Sequence, residues 1–279
     1  MIYKIGSRKS ILAKEYTQSA KSILPFQTKI KYIDSEADLK PEMAIEDMGG
    51  KGAFSKSIEE ALYYGNIDLA VHAFKDLTRD NDEVLQVPCV LKRNDPRDVL
   101  IGHSNPETIG TSSPRRIAQL QEIFPQAEIV PIRGNIDSRI RKVEDGEYDA
   151  IVLAAAGVHA LKYDDKITRV FGTAELLPAP GQGIIAVQTR IPNTREDEDL
   201  TAYCWAVNHI ETWTIAMAEK AMLEAIDGDC NTPIGCLTDI DGPTIRMVGK
   251  NFETDKIRFL TGPIEDYRRI GLELGNSLI

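Results

Sequence analysis

The sequence has few cysteines and no long apolar run. Among its 279 residues are four cysteines, and the closest pair, Cys230 and Cys236, is separated by five residues. No Cys-x-x-Cys pair occurs, so we expect reduced thiols and no metal site. No segment is apolar for long enough to span a bilayer, and residues 1–6 lack the apolar stretch of a signal peptide. We therefore expect a cytoplasmic protein that does not bind a membrane.

Positive charge is also scarce. The chain has 33 Lys and Arg against 43 Asp and Glu, a net charge of −10, which argues against general nucleic-acid binding. The exception is the segment 91–142, with nine Lys and Arg against six Asp and Glu. A local basic site on an acidic protein suits a small, highly charged anion better than a nucleic-acid duplex.

The hydrophobic pattern predicts an α/β protein. Strand-like segments at 2–6 and 29–33 flank a helix that Ser7 or Ser10 can cap. The apolar strand 67–72 follows a second predicted helix. Further along, predicted strands at 128–133 and 149–154 flank a helix at 136–144, so strands and helices alternate in two regions.

Two turn-rich stretches, 92–98 and 177–183, are typical of passages between lobes, so 184–189 would add a strand to the first sheet. Such a double crossing predicts a hinge and a cleft. The stretch 195–199, which has four acidic residues after Arg195, is predicted as a loop, and residues 267–269 as part of a charged tail. The predicted domains are domain 1 at 1–90 plus 184–200, domain 2 at 91–183 and a small domain 3 at 201–279.

The hexapeptide 111–116, Thr-Ser-Ser-Pro-Arg-Arg, places two cations at a predicted helix start. Ser113 followed by Pro114 predicts an N-cap with proline at the first helical position. Cations are disfavoured there by about 0.3–1 kcal/mol each. The amides, hydroxyls and guanidinium groups together could hold an anion. Alternatively, Arg115 and Arg116 lie on the surface or pair with nearby acids.

Lys75 and Asp76 directly follow the buried strand 67–72, at the end where open α/β sheets place their sites. A carboxylate there can act as a general base or stabilise a developing cation, and a lysine can hold an anionic substituent. A surface ion pair would fit the same pattern equally well. Arg133 and Arg139 flank another β-α junction and could face the same cleft as the arginines of 111–116.

Two loops are further candidates. The turn Gly49–Gly52 precedes a helix and could bring Lys51 to an anion, but it lacks the spacing of a P-loop. Cys230 lies in a polar loop after a helix, where a thiol could be a nucleophile or an attachment point. No histidine pairs with it in a recognisable motif, and burial is the commonest fate of a cysteine.

Nine motifs, in order along nearly the whole chain, resemble the porphobilinogen deaminase family. They lie at 7–10, 49–52, 71–76, 95–98, 111–116, 133–135, 147–150, 180–183 and 230–235. The resemblance implies an α/β fold with three domains. The first two would be periplasmic-binding-protein-like (type II) lobes around a cleft, and the third a small α+β domain.

The resemblance also implies a function. It implies a monomeric transferase of tetrapyrrole (haem) biosynthesis, hydroxymethylbilane synthase, which joins four porphobilinogen molecules into a linear tetrapyrrole and releases ammonia. A dipyrromethane cofactor would be held by a thioether to Cys230, and Asp76 would hold pyrrole nitrogens, stabilise cationic intermediates and help proton transfer. The residues implied to bind carboxylates or the growing chain are Arg8, Ser10, Lys75, Thr111, Ser112, Ser113, Arg115, Arg116, Arg133, Arg139 and Gln182, with Lys51 and Lys56 on a loop as weaker candidates.

Four positions depart from the family pattern. Ile11, Tyr16, Ala73 and Asp229 stand where family members usually have proline, glutamine, serine and glycine. The first three predict altered contacts near the cofactor. A carboxylate at Asp229 predicts a raised thiol pKa for Cys230 and slower cofactor attachment. Two alternatives stay open: an inactive relative, and an anion-binding protein on the same fold that needs the arginines but neither Asp76 nor Cys230.

Overall fold

The computed structural model describes residues 2–35, 55–77, 83–229 and 231–279. The helices are α1 Ile11–Ile23, α2 Lys56–Tyr63, α3 Pro114–Ile123, α4 Ile136–Glu144, α5 Ala155–Ala160, α6 Arg195–Ala206, α7 Ile210–Ala225 and α8 Tyr267–Ser277. The strands are β1 Tyr3–Ser7, β2 Thr28–Tyr32, β3 Leu69–Ala73, β4 Leu85–Val90, β5 Asp98–Gly102, β6 Thr108–Gly110, β7 Glu128–Val130, β8 Ala150–Ala154, β9 Ile167–Val170, β10 Ile185–Arg190, β11 Ile234–Asp241, β12 Thr244–Asn251 and β13 Lys256–Pro263. No helix among the described residues combines the length and the apolar character needed to cross a membrane.

The chain divides into two compact units. Unit 1 is Met1–Arg93 with Ile184–Trp213, and unit 2 is Asn94–Gly183 with Thr214–Ile279. Residues after 200 are tied to unit 1 by hydrogen bonds from Gln86 Nε2 to Thr201 Oγ1 and from the Val90 amide to Asn208 Oδ1. The domain boundaries expected from the sequence stay a prediction.

Unit 1 is built on a five-stranded sheet in the order β2-β1-β3-β10-β4. Strand β1 runs parallel to β2 and β3, whereas β10 runs antiparallel to both β3 and β4. The strand that the sequence predicts at 184–189 is therefore confirmed as an insertion into the first sheet. Helix α1 packs against β3, and the core there includes Ile5, Leu69 and Val187.

Unit 2 contains a second five-stranded sheet in the order β7-β6-β8-β5-β9. Strand β6 runs parallel to β7 and β8, and β5 runs antiparallel to β8 and β9. Each five-stranded sheet thus has three parallel strands followed by an antiparallel strand and a further edge strand. The mixed α/β architecture expected from the alternating pattern is confirmed.

The rest of unit 2 is a three-stranded antiparallel sheet, β11-β12-β13, covered by helices α7 and α8. The charged stretch at 267–269 opens α8, so its prediction as a tail was wrong. Ile270 and Leu274 of this helix are buried against the sheet. Residues 267–269 show no helical apolar spacing by themselves, because the buried apolar residues Ile270 and Leu274 follow them in the chain.

The acidic stretch 195–199, predicted as a loop, is the first turn of helix α6. Thr194 caps this helix, and its Oγ1 accepts a hydrogen bond from the Asp197 amide at 3.2 Å. Acidic side chains are stabilised at the positive end of a helix. The same residues that indicated a solvated loop therefore also favour a helix start.

The segment 177–183 is fixed from two sides within unit 2. The buried Glu219 carboxylate of α7 accepts hydrogen bonds from the Gly181 amide at 2.6 Å and from the Thr238 amide of β11 at 3.0 Å. Gly183 has a φ of +84°, and a Cβ atom there would lie 2.7 Å from the Asn94 carbonyl oxygen. Glycine is needed at this close approach, where the Asn94 amide also donates to the Gly183 carbonyl at 2.8 Å.

Candidate active site

The helix start at 111–116 forms as its sequence predicts, since β6 ends at Gly110 and α3 begins at Pro114. Ser113 is the N-cap, and its Oγ lies 3.5 Å from the Arg116 amide. Ser112 Oγ donates to the Ile132 carbonyl at 2.9 Å and accepts from the Ile132 amide at 3.1 Å. These two hydroxyls therefore bond to backbone groups and hold the loop in place.

Arg115 and Arg116 are buried rather than displayed on the surface, with 3% and 7% of their areas exposed. Both pair with Asp98, which is fully buried at the start of β5. Asp98 Oδ2 accepts from Arg115 Nη2 at 2.8 Å, and Oδ1 accepts from Arg116 Nη2 at 2.6 Å. The anion beside this helix start is therefore a side chain of the protein itself. This agrees with the alternative prediction that Arg115 and Arg116 pair with a nearby acid.

Gln182 also contacts this carboxylate. Its Nε2 donates to Asp98 Oδ1 at 3.0 Å and to the Pro96 carbonyl at 2.7 Å. The buried Gln182 side chain therefore holds Asp98 in position. Asp98 is a site residue that the sequence reasoning missed, although its motif, 95–98, was recognised.

Among the described residues, the guanidinium groups of Arg115 and Arg116 share the single Asp98 carboxylate, so this group of three carries a net positive charge. Arg115 Nε is buried and has no hydrogen-bond partner among the described residues. Burial, together with the charges of Arg116 and Arg133, lowers the pKa of Arg139 to about 10. We call Arg116, Arg133 and Arg139 the cationic cluster. Each of these causes disfavours the charged form of Arg139, so a further anion beside the cluster would be stabilised.

A second candidate site lies within unit 1, where β3 ends and a short 3₁₀ turn, Phe74–Asp76, begins. This position agrees with the predicted placement of Asp76 at the carboxyl end of a buried strand. A small, open pocket adjoins it within this unit. The lining residues are Arg8, Ser10, Leu12, Ala13, Tyr16, Val71, His72, Ala73 and Asp76.

Two titratable neighbours of Asp76 are held in their neutral forms. Burial, assisted by the charge of Arg8, lowers the pKa of His72 to about 4. Burial and the nearby Asp76 carboxylate raise the pKa of the Tyr16 hydroxyl. At neutral pH the pocket therefore contains an uncharged imidazole and a protonated phenol. Ser10 lies at the same end of α1, where its Oγ accepts from the Ala13 amide at 3.3 Å.

Some of the other predicted site residues lie outside the part of the chain that the structure describes, and the rest lie within it. Lys51 and Cys230 lie outside the described residues. Lys56 is exposed at the start of α2, whereas Lys75 is partly buried beside Asp76, and Thr111 is buried. Within the described residues, no group of three or more His, Cys, Asp or Glu side chains is placed to hold a metal ion.

Asp229 organises the loop that follows helix α7. Its Oδ1 accepts hydrogen bonds from the Asn231 amide at 2.9 Å and from Thr232 Oγ1 at 3.3 Å. The Asp229 amide in turn donates to Thr232 Oγ1 at 2.9 Å. This carboxylate therefore has a role in the loop backbone, and its effect on the Cys230 thiol stays a prediction.

Two family models match the chain in succession. The model described as "Porphobilinogen deaminase, dipyromethane cofactor binding domain" matches residues 3–199, and "Porphobilinogen deaminase, C-terminal domain" matches 213–279. The porphobilinogen deaminase of Syntrophus aciditrophicus is 39% identical over 99% of this chain and 94% of its own length. That of Alkaliphilus metalliredigens is 35% identical, covering 99% and 92%. Among solved structures, the periplasmic VFT2 domain of Bordetella pertussis BvgS is similar to this chain, with a TM-score of 0.45 and 16% sequence identity. The similarity covers 77% of this chain and 92% of the VFT2 chain.

Replacing Asp98 with asparagine should strongly destabilise the protein. The change removes the negative charge and leaves two buried guanidinium groups unpaired, which costs roughly 3–5 kcal/mol in the free energy of unfolding. Urea denaturation measures the loss. Asp95→Asn is the matched control, because its partner Arg97 has a side chain 45% exposed and such pairs contribute about 1 kcal/mol or less. Equal losses in the two variants would contradict the proposed importance of Asp98.

The stability of the protein should depend on His72 between pH 7 and pH 4. The pKa of His72 is lowered from 6.5 to about 4 in the folded chain, so the unfolded chain takes up the proton first as the pH falls. The stability that His72 contributes is therefore present above pH 6.5 and is lost as the pH falls towards 4. Wild type should lose more unfolding free energy over this range than His72→Gln, by about 3 kcal/mol. Parallel pH profiles would show that His72 contributes nothing.

Proposed function

The chain belongs to the porphobilinogen deaminase family, and from this we propose how its own residues carry out the reaction. The family's enzymes are transferases of tetrapyrrole biosynthesis that join four porphobilinogen molecules into hydroxymethylbilane, with release of ammonia. The nearly full-length match to this family is the observation from which we assign this reaction to the chain. The pocket around Asp76 supports the assignment of that reaction to particular residues.

The cationic cluster fits a dipyrromethane cofactor, whose two rings each carry an acetate and a propionate group. Arg116 pairs with Asp98, and the charges of Arg116 and Arg133 both disfavour the charged form of Arg139. Carboxylates would supply negative charge there, and guanidinium groups bind them in well-defined geometry. When bound, the cofactor supplies the pyrrole end to which incoming rings are joined. We assign Arg133 and Arg139 to its carboxylates and Cys230 to its attachment.

Arg115 has a different role in this proposal. Its Nη1 donates to the Leu177 carbonyl at 2.6 Å and its Nη2 to Asp98, so both of its terminal nitrogens are engaged inside the protein. Arg115, Asp98 and Gln182 therefore position Arg116, and the remaining positive charge acts on the ligand. Thr111, Ser112 and Ser113 support the same loop.

Asp76 is the residue proposed to act on porphobilinogen itself. Loss of ammonia leaves a ring with developing positive charge, and a carboxylate close to the pyrrole N–H would stabilise that charge. The same carboxylate can help to remove the proton that the ring carbon loses after the new bond forms. Arg8 and Ser10 line the same pocket and Lys75 precedes Asp76 in the chain, and we assign the three to the acetate or propionate of the same ring.

We also propose a monomeric enzyme located in the cytoplasm, with porphobilinogen as its substrate. The monomer rests on the family resemblance, and the location rests on sequence composition.

Intact-mass measurement of the purified protein tests cofactor attachment. Protein made with ample porphobilinogen should carry a covalent adduct of two pyrrole units, and Cys230→Ala should lack it because no thioether can form. Cys236→Ala is the matched control, since this buried cysteine lies six residues further along the chain and should leave the adduct intact. An unmodified wild-type mass would refute the proposed function.

Asp76→Ala should keep the fold and the adduct but lose turnover. Removing a group that stabilises charge and transfers protons should lower kcat by about 10²–10⁴-fold. Tetrapyrrole formation from porphobilinogen measures the effect. Asp34→Ala, which removes an exposed carboxylate paired with Lys9 in the same unit, should retain near-normal turnover. Comparable activity in the two variants would remove Asp76 from the catalytic role.

A further inference from the structure

Tyr16 lies on the face of helix α1 that lines the Asp76 pocket. Leu12, Ala13 and Tyr16 all contribute to the pocket wall, as expected for residues three and four positions apart on a helix. The Tyr16 ring packs against the core of unit 1. Its position along the helix is therefore fixed by apolar packing, while its hydroxyl is close enough to Asp76 of the pocket for the negative charge there to raise the pKa of the phenol.

The hydroxyl of Tyr16 makes no hydrogen bond within the described part of the chain. Other polar groups nearby are engaged: Ser10 Oγ caps α1, and Thr17 Oγ1, the next residue along, bonds to Ser7 Oγ at 2.8 Å. A partly buried tyrosine hydroxyl normally has a partner. In this pocket, solvent or a bound ligand must provide it.

Partial burial keeps this hydroxyl protonated, and the negative Asp76 carboxylate adds to the effect, since both disfavour the phenolate. A neutral phenol can donate one hydrogen bond. The groups of porphobilinogen that accept hydrogen bonds are its acetate and propionate, whereas its pyrrole N–H and its ammonium group are donors.

We propose that the Tyr16 hydroxyl donates a hydrogen bond to a carboxylate of the porphobilinogen ring held at Asp76, and so positions that ring in the pocket. This inference rests on the proposed function and adds a binding residue to it. In this arrangement Asp76 accepts a hydrogen bond from the pyrrole N–H, and Tyr16 and Arg8 bind the acetate and propionate of the same ring. The pocket then selects a ring that carries both kinds of group.

The test is Tyr16→Phe, which removes the hydroxyl and keeps the ring that packs against the core. A hydrogen bond to a charged group is worth about 1.5–3 kcal/mol, so KM for porphobilinogen should rise roughly 10- to 150-fold. Because the lost interaction is made in the bound substrate as well as in the transition state, kcat should change much less. Tyr3→Phe is the matched control, since Tyr3 packs in the same core and lies outside the pocket lining.

An inhibitor distinguishes the carboxylate from the ammonium group as the contact. A porphobilinogen analogue without the aminomethyl group keeps both carboxylates, so its Ki should rise by the same factor in Tyr16→Phe. A Ki that does not change would overturn the carboxylate contact. Unaltered KM in Tyr16→Phe, with active wild type, would overturn the inference and leave the proposed function standing. Wild type that forms no tetrapyrrole would overturn both.

Discussion

The geometry of the arginine-rich site depends on one buried carboxylate, Asp98. It links the start of β5 to the first turn of α3, and through Arg116 Nη1 to the Val152 carbonyl of β8 at 3.0 Å. Through Arg115 and Gln182 it also reaches the segment 177–183. Neither the carboxylate nor the guanidinium groups could be buried alone, because the desolvation of an unpaired ion is too costly. Each charge therefore depends on the others for its place in the fold.

The pairing of Asp98 with two arginines leaves a net positive charge. This charge connects the stability of unit 2 to the binding of an anion. Two guanidinium groups against one carboxylate retain a net positive charge, and the lowered pKa of Arg139 shows that Arg133 and Arg116 add to the repulsion. An anion that binds only the folded chain relieves that repulsion and stabilises the fold. The acidic overall composition does not weaken the effect, because screening limits distant surface charges more than adjacent partly buried ones.

Local signals predicted the helix start at Ser113 and Pro114, the placement of Asp76 after a buried strand and the strand at 184–189. The first two depend on neighbours within a few residues, whereas the strand at 184–189 follows from the two turn-rich stretches at 92–98 and 177–183. Asp98 and Glu219 could not be found in this way, because their partners are distant in sequence: Arg115 is 17 residues from Asp98, and Gly181 is 38 from Glu219. The sequence could show that two arginines needed an anion. Only the tertiary structure shows that Asp98 already provides one.

In the proposed mechanism the Asp76 pocket has the opposite electrostatic task, since it must favour positive charge on a ring. An imidazolium at His72 would compete with that charge, but burial and the cationic Arg8 keep His72 neutral at physiological pH. Arg8 thus has two effects: it can bind an anionic substituent, and it adds to the effect of burial in disfavouring a second cation beside Asp76. Protonated Tyr16 adds a hydrogen-bond donor without adding charge. In the proposed mechanism the negative charge of Asp76 is therefore left for the developing cation, which is the state that catalysis must stabilise.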